Sequence, residues 1–436
     1  MMQRRLWPTV LVAGLALAGC GSAAGSSGTA STSAAGAAGS SSAAAGGTGK
    51  LVVWDWKSSD KTAANYVAKA KADFAKKHPG VTLEFVAQPF DQYYTLLGAA
   101  IQAGKGPDVI LFNGGGQIRD RSDALLPLDQ YLASDKDRLA GWDAFTKDGK
   151  VYAAPVTLQG HPIYYNKAMY SKAGLDPAKP PATWDAMVSA CAALKKANGV
   201  PCFSVGNKEG YGIQFWMSGM GSGILTAAEY DSWIAGKRDW NSPDVKKIFS
   251  LWKQVNDDGL NTAGPNSTAM FMDAFTKFEG GKAANVFGLM SDVGGWHEMN
   301  PVLGADNVGA MLAPVVTPGT TPSLAYDGGI GYGVAKWTKD PALAADLVHS
   351  LTSTEALTAY STDAGAIAAD KSVTVAGGGP SAATIAAAIP GGKPALHVAL
   401  SAKTQEVMGR MSQQLLSGSV TVDDAMKQLA AADQAG

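Results

Sequence analysis

From Lys50 onward, short β-prone apolar runs alternate with segments of helical period, and this alternation narrows the folds open to the chain more than any other feature. Residues 51–54 read as a strand. Ala63, Tyr66, Val67, Ala70 and Phe74 then recur at helical spacing until His78, Pro79 and Gly80 stop them. Val81, Leu83 and Phe85 alternate as a second strand, and Tyr94, Leu97 and Ile101 repeat as a second helix. Residues 109–112 follow Gly106 and Pro107 as a third strand. Strands interleaved with helices predict a mainly parallel, doubly wound α/β sheet, whose ligands sit at the strand carboxyl ends.

A second α/β unit begins after residues 151–155 and 163–165. The Thr183 hydroxyl caps a helix that sets Trp184, Met187, Val188, Cys191 and Leu194 on one face. Ser242 with Pro243 starts another, carrying Val245, Ile248, Trp252 and Val255, and Gly259 suits its end. Helical patterns over 340–351, 402–416 and 421–431 make the tail mostly helical. Residues 50–436 are more than one hydrophobic core normally spans, so two lobes are expected.

The first 49 residues read as an address and a tether. Arg4 and Arg5 precede an apolar run over 10–18 that is too short for a permanent membrane helix, as in a signal peptide. Leu17, Ala18, Gly19 and Cys20 match a lipobox, which would make Cys20 a lipidated N-terminus; the alternative is an ordinary secretory peptide with an incidental cysteine. Two arginines do not separate twin-arginine from general export. Residues 21–49 contain only Gly, Ser, Ala and Thr, so they form a flexible tether with a reach of roughly 30 Å. A net charge of −1 argues against a nucleic-acid partner. Cys191 and Cys202 are a candidate disulfide in an oxidising compartment, worth about 2 to 3 kcal/mol; two buried free thiols are the alternative.

Several segments, in this order and spacing, resemble one family. They are Leu51-Val52-Val53-Trp54, Phe74-Ala75-Lys76-Lys77-His78-Pro79-Gly80-Val81, Gly106-Pro107-Asp108-Val109 and Lys150-Val151-Tyr152-Ala153-Ala154-Pro155. Tyr164-Tyr165-Asn166-Lys167, Pro181-Ala182-Thr183-Trp184-Asp185, Phe278-Glu279-Gly280-Gly281-Lys282-Ala283-Ala284 and the run from Gly328 to Ala335 continue the pattern. Together they resemble the extracellular solute-binding proteins of carbohydrate ABC transporters, of the maltose-binding-protein type. The resemblance implies two α/β lobes joined by several hinge crossings, with a cleft that closes on a sugar or short oligosaccharide without chemistry. It puts residues 50–159 and 326–365 in the first lobe, and 160–325 and 366–436 in the second. It implies a monomer serving a permease outside the cell, held to the membrane only by its lipid, with no cofactor or metal.

Sugar recognition needs aromatic faces and planar polar side chains. Trp56 lies just past the first strand, and Asn113 just past the third, before glycines at 114–116 that let backbone come close. Gln159 and His161 fall at the first inferred crossing, and Tyr326, Asp327 and Gly328 at the second. Trp216 and Trp296 are expected to supply the second lobe's stacking platforms, with Asp327 accepting bonds from sugar hydroxyls. Each has a plainer reading: a core ring for the tryptophans, a satisfied structural group for His161, a turn for Asn113 and its glycines, and a carboxylate capping nearby amides for Asp327. The chain departs from the pattern after Gly288, where relatives often carry a tryptophan and Leu289, Met290, Ser291 and Asp292 stand instead. An extracellular glycosidase needs an opposed carboxylate pair, and no motif marks one; GxSxG and HExxH are absent too. Polyamine or phosphorylated-polyol binding on the same fold would want an acidic cleft or clustered cations, neither evident in the sequence.

Overall fold

A computed structural model describes residues 49–291, 293–375 and 377–435. The chain opens with strand β1 (Lys50–Asp55), helix Ala64–Lys77, β2 (Thr82–Ala87), helix Phe90–Ala103 and β3 (Val109–Asn113). It then runs through β4 (Ala153–Pro155) and along β5 (Thr157–Gly160) into a second sheet of β6 (Ile163–Asn166), β7 (Phe203–Ser204), β8 (Asn285–Phe287) and β9 (Val308–Met311). It returns on β10 (Tyr326–Gly328) into β11 (Ile330–Val334), and β12 (Ile367–Ala368) follows two further helices.

The first sheet has the order β2-β1-β3-β11-β4. β1 is parallel to β2 and β3, as strand-helix alternation demands, whereas β11 is antiparallel to both its neighbours. The reason is its entry: β11 continues from the returning strand β10 and so meets the sheet from the opposite end. The second sheet, β9-β6-β8-β7, likewise has β6 antiparallel to β8 and β9. Between the two lies a three-stranded sheet with β5 at its centre, pairing Gln159 with Asp327 on one side and Leu158 with Ile367 on the other.

The first sheet carries two buried clusters, one with Val53, Phe74, Leu111, Leu347 and Tyr360 and one with Tyr93, Ile110, Phe112 and Phe145. A third, separate core accompanies the second sheet and is built around Trp216, Trp252, Phe278 and Phe287, so the body is two-lobed. Helix starts follow local chemistry. Thr183 Oγ1 accepts from Ala186 N–H, Ser242 Oγ from Asp244 N–H ahead of Pro243, and Asp340 Oδ1 from Leu343 N–H. Each satisfies a donor that the first helical turn leaves orphaned. Cys191 and Cys202 are joined, with their Cα atoms 4.9 Å apart, tying helix Trp184–Asn198 to the approach to β7. Cys20 lies outside the described residues. No helix among the described residues is long and apolar enough to cross a membrane.

Candidate functional site

The carboxyl ends of β1, β2 and β3 carry a group of rings. Trp56 is half-buried one residue past β1, edge-on to Tyr93 at 4.7 Å and tilted against Phe90 at 5.3 Å and Tyr94 at 6.3 Å. Tyr93 is fully buried, its hydroxyl lying 3.0 Å and 2.8 Å from the carbonyl oxygens of Trp54 and Leu111. Tyr94, next on the same helix, lies edge-on to Tyr93 at 5.3 Å. Its hydroxyl accepts the Asn113 N–H at 2.9 Å, and the Arg121 guanidinium lies 5.0 Å over its ring. Burial raises the Tyr94 hydroxyl pKa, against the opposing bond from the Asn113 N–H and the nearby Arg121 charge.

Tyr211 opens helix Tyr211–Ile224, just after Gly210 in the left-handed region at φ 78°. It is half-buried and edge-on to Phe271 at 5.4 Å; Phe271 meets Phe215 at 5.7 Å, and Phe215 meets His161 at 5.2 Å. The rings of the second lobe therefore lead from Tyr211 back to the end of the β5 crossing. His161 is buried there against His397 at 4.9 Å, and its Nδ1 has no hydrogen-bond partner among the described residues. Burial, then His397, holds its pKa well below the ordinary histidine value, so the ring is neutral. His397, pushed down to about 4 by burial, shares a 2.7 Å hydrogen bond with Ser218 Oγ.

Several expected site residues lie elsewhere. Trp216 is completely buried: its indole N–H donates to the Ile248 carbonyl at 2.9 Å, and its ring packs on Trp184, Trp252 and Phe287. No face is left for a sugar, because the helical period that exposes Tyr211 turns Trp216 inward. Trp296 is also in the second lobe's core, 2% exposed. Gly294, at φ 64°, and Gly295 turn the chain so that the ring points inward against Gly378. After Gly288 it is Met290 that reaches the crossing, its N–H bonded to the Gly160 carbonyl at 3.1 Å.

Asp327 is occupied by the chain itself. Its Oδ2 accepts the Ala395 N–H at 2.6 Å, the capping alternative rather than a free ligand acceptor. Burial raises its carboxyl to about 7, against the pull of that bond and of Arg119, with Asp143 pushing further up. The glycines after Asn113 do admit close backbone, but it belongs to the second lobe. A Cβ on Gly115 would lie 2.7 Å from Val398 O, and one on Gly116 would lie 2.6 Å from Ala402 N. Arg119 Nη2 donates to that same Val398 carbonyl at 2.6 Å, and Ala402 N–H donates to Asp120 Oδ2 at 2.8 Å. Gly328 is buried against Gly141 and Phe145. Gln159 and Tyr326 stay half-buried on neighbouring crossing strands, and Asn113 is half-buried beside Tyr94.

Of the expected set, Trp56 and Asn113 both contact Tyr94, Gln159 and Tyr326 lie on paired crossing strands, and His161 ends the ring chain of Phe215, Phe271 and Tyr211. An aromatic immediately after a glycine at a helix start was the available signal for Tyr211. Tyr94 carried none, because the helical spacing with Leu97 and Ile101 reads it as a core position. No group of three His, Cys, Asp or Glu among the described residues is placed to hold a metal.

Residues 55–358 match the family described as bacterial extracellular solute-binding protein. The chain is 26% identical over 311 residues to the maltodextrin-binding protein of Bacillus subtilis, covering 66% of each. It is 28% identical over 205 residues to an uncharacterized ABC transporter extracellular-binding protein of Pyrococcus horikoshii, covering 45% of this chain and 47% of that one. The chain spans about half the length of the first curated relatives it matches. A chitin oligosaccharide binding protein of solved structure shares its fold, with a TM-score of 0.75 at 23% identity over 89% of this chain and 99% of that one. With the family match running from the end of β1 to beyond the return strands of both sheets, the chain belongs to the bacterial extracellular solute-binding proteins.

Proposed function

We propose that this protein binds a neutral sugar or short oligosaccharide between its lobes and hands it to the permease of an ABC importer, closing on the ligand without chemical change. The observation that carries the reading is the aromatic surface each lobe offers, Trp56 with Tyr94 on one and Tyr211 with Phe271 on the other. Ring faces suit the apolar face of a pyranose, and the half-buried amides of Asn113 and Gln159 suit its hydroxyls. The maltodextrin and chitin-oligosaccharide binding named for two similar proteins supports the same ligand class. In this reading the β10-β5-β12 sheet is the hinge, the protein works as a monomer, and Cys20 carries the lipid that holds it outside the cell. Two lipid chains are needed there, since one binds only marginally.

A thermal-shift screen over sugars, polyamines and sn-glycerol 3-phosphate tests the ligand class. At a hundredfold excess over its dissociation constant, a sugar should add about 2.7 kcal/mol of stability. Stabilisation by a polyamine or the phosphate ester, with none by any sugar, rejects the reading. Metabolic fatty-acid labelling that persists in Cys20→Ser rejects the anchor.

A further inference from the structure

Tyr211 and Phe271 stand beside loops rather than on sheet strands. Tyr211 opens its helix straight after the loop that follows β7, and Phe271 sits on a π-helical turn, Met270–Ala274. Backbone donors tie the two segments to each other. Asn207 N–H donates to the Pro265 carbonyl at 2.8 Å, Lys208 N–H to the Thr268 carbonyl at 3.1 Å, and Met270 N–H to Glu209 Oε2 at 3.2 Å. A run of side chains then ties both to the body of the lobe. Trp252 Nε1 donates to Ser412 Oγ at 2.9 Å, and Ser412 Oγ to Asn207 Oδ1 at 3.2 Å. Asn207 Nδ2 donates to Asn266 Oδ1 at 3.0 Å, and Asn266 Nδ2 to the Gln413 carbonyl at 2.9 Å. Gln413 closes the circuit, its Nε2 donating to the Lys208 carbonyl at 2.7 Å. Ser412 has one proton and gives it to Asn207 while accepting from Trp252, which fixes the way the Asn207 amide faces. Ser412 and Gln413 belong to helix Ala402–Leu416. Its Gly409 lies so close that a Cβ on Gly210 would be 2.6 Å from the Gly409 Cα. Donors running head to tail through a dry site rigidify the loops they cross.

We propose that Asn207, Asn266 and Gln413 are positioning residues, whose amides set Tyr211 and Phe271 for the ligand from helix Ala402–Leu416. Asn207 is completely buried and Asn266 and Gln413 are half-buried, so their effect on affinity passes through the rings they hold. Loops ordered in advance lower the ordering cost of binding. This rests on the sugar reading above and adds to it what keeps the second lobe's binding surface in place.

Asn207→Ala would leave the Ser412 hydroxyl unpaired in the core, so the half-buried partners carry the test. Calorimetry on the full chain uses the sugar that stabilises it most in the thermal-shift screen, with maltotriose and chitotriose among those screened. Asn266→Ala, Gln413→Ala and Gln413→Glu should remain folded and each bind about tenfold more weakly than the parent at pH 7. Gln413→Glu regains a donor when its carboxyl protonates, so at about pH 4 its affinity should return toward the parent's at that pH, while Gln413→Ala stays weak. Hydrogen exchange without sugar should quicken over residues 207–211 and 268–271 in the pH 7 variants and stay as in the parent over 50–113. Variants that exchange and bind like the parent overturn the proposal and leave the sugar reading standing. So does faster exchange with undiminished affinity, or a loss in Gln413→Glu that acid does not reverse. If no sugar of the screen binds the parent, the sugar reading falls and the positioning role falls with it.

Discussion

Tyr211 and Trp216 stand on one helix little more than a turn apart, and their environments assign them opposite work. Tyr211 keeps part of its ring open beside Phe271, so Tyr211→Ala should weaken ligand binding by roughly 1 to 3 kcal/mol and leave the fold intact. Trp216 fills the second lobe's core, so Trp216→Ala should cost about 3 to 5 kcal/mol of stability and leave the affinity of the folded fraction unchanged. Calorimetry paired with urea denaturation separates the two; a reversal of the effects would return the tryptophan to the cleft. Asp327 gives a pH test at the same scale. Its folded value of about 7 lies above the ordinary 3.8 because burial disfavours the charge. Its contribution to stability is therefore fully present below 3.8 and lost as pH rises through about 7. Asp327→Asn keeps an oxygen for the Ala395 N–H without the charge, so it should gain stability over the parent between about pH 4 and 8 and gain nothing below that window. Parallel pH profiles for the two proteins would contradict this.

Among the elements, the segment after β12 is clamped to the first lobe by a charged network. Arg138 bonds Asp135 at 2.6 Å and Asp370 at 2.7 Å, and the Asp370 carboxylate also accepts from Thr354 and Ser372. His349, on helix Pro341–Leu351, lies 2.6 Å from Asp135 Oδ2 through Nδ1 and 2.8 Å from the Tyr131 carbonyl through Nε2. Both partners are acceptors, so both ring nitrogens carry protons and the ring is an imidazolium. The Asp135 bond, ahead of the opposing burial, accordingly raises its pKa above 6.5. Stability from this pair is fully present below 6.5 and lost as pH rises through the raised folded value. Although burial opposes it, the bonds from Thr354, Ser372 and Arg138 bring Asp370 down to about 2, so its contribution is present above 3.8 and lost as pH falls through about 2. His349→Gln should flatten the alkaline decline of the denaturation midpoint and leave the acid limb in place; an unchanged alkaline limb would locate that decline elsewhere. The helix starts were readable locally, since Thr183, Ser242 and Asp340 act on amides two or three residues away. Which residues of a stripe go inside was less so. Val188 is 40% exposed because helix Trp184–Asn198 buries Met187, Ala190, Cys191 and Leu194, and Tyr93 is buried where the spacing favoured Tyr94.

For the molecule as a whole, the lobes meet where Val398 and Ala402 rest on Gly115 and Gly116. Gly115 is at φ 83°, so Gly115→Ala adds backbone strain to a steric conflict with Val398 and should cost about 1 kcal/mol or more. Small-angle scattering should also register a larger separation of the lobes; a variant matching the parent in denaturation and in scattering would remove this contact from the lobe arrangement. The two-lobed α/β architecture was legible from the chain because strand and helix periods are local patterns and the length exceeds one core. The same holds for the cysteine pair, whose short separation and compartment both favour closure. The tryptophan platforms and the open Asp327 carboxylate were not, since sequence names a side chain and its neighbours but not what the other lobe places against it. Trp216 and Trp296 were claimed by the second lobe's core, and Asp327 by the amide of Ala395, a residue distant in the chain. Only the return of the chain through the hinge decides such contacts, because burial and hydrogen bonding depend on groups that tertiary folding alone brings within reach.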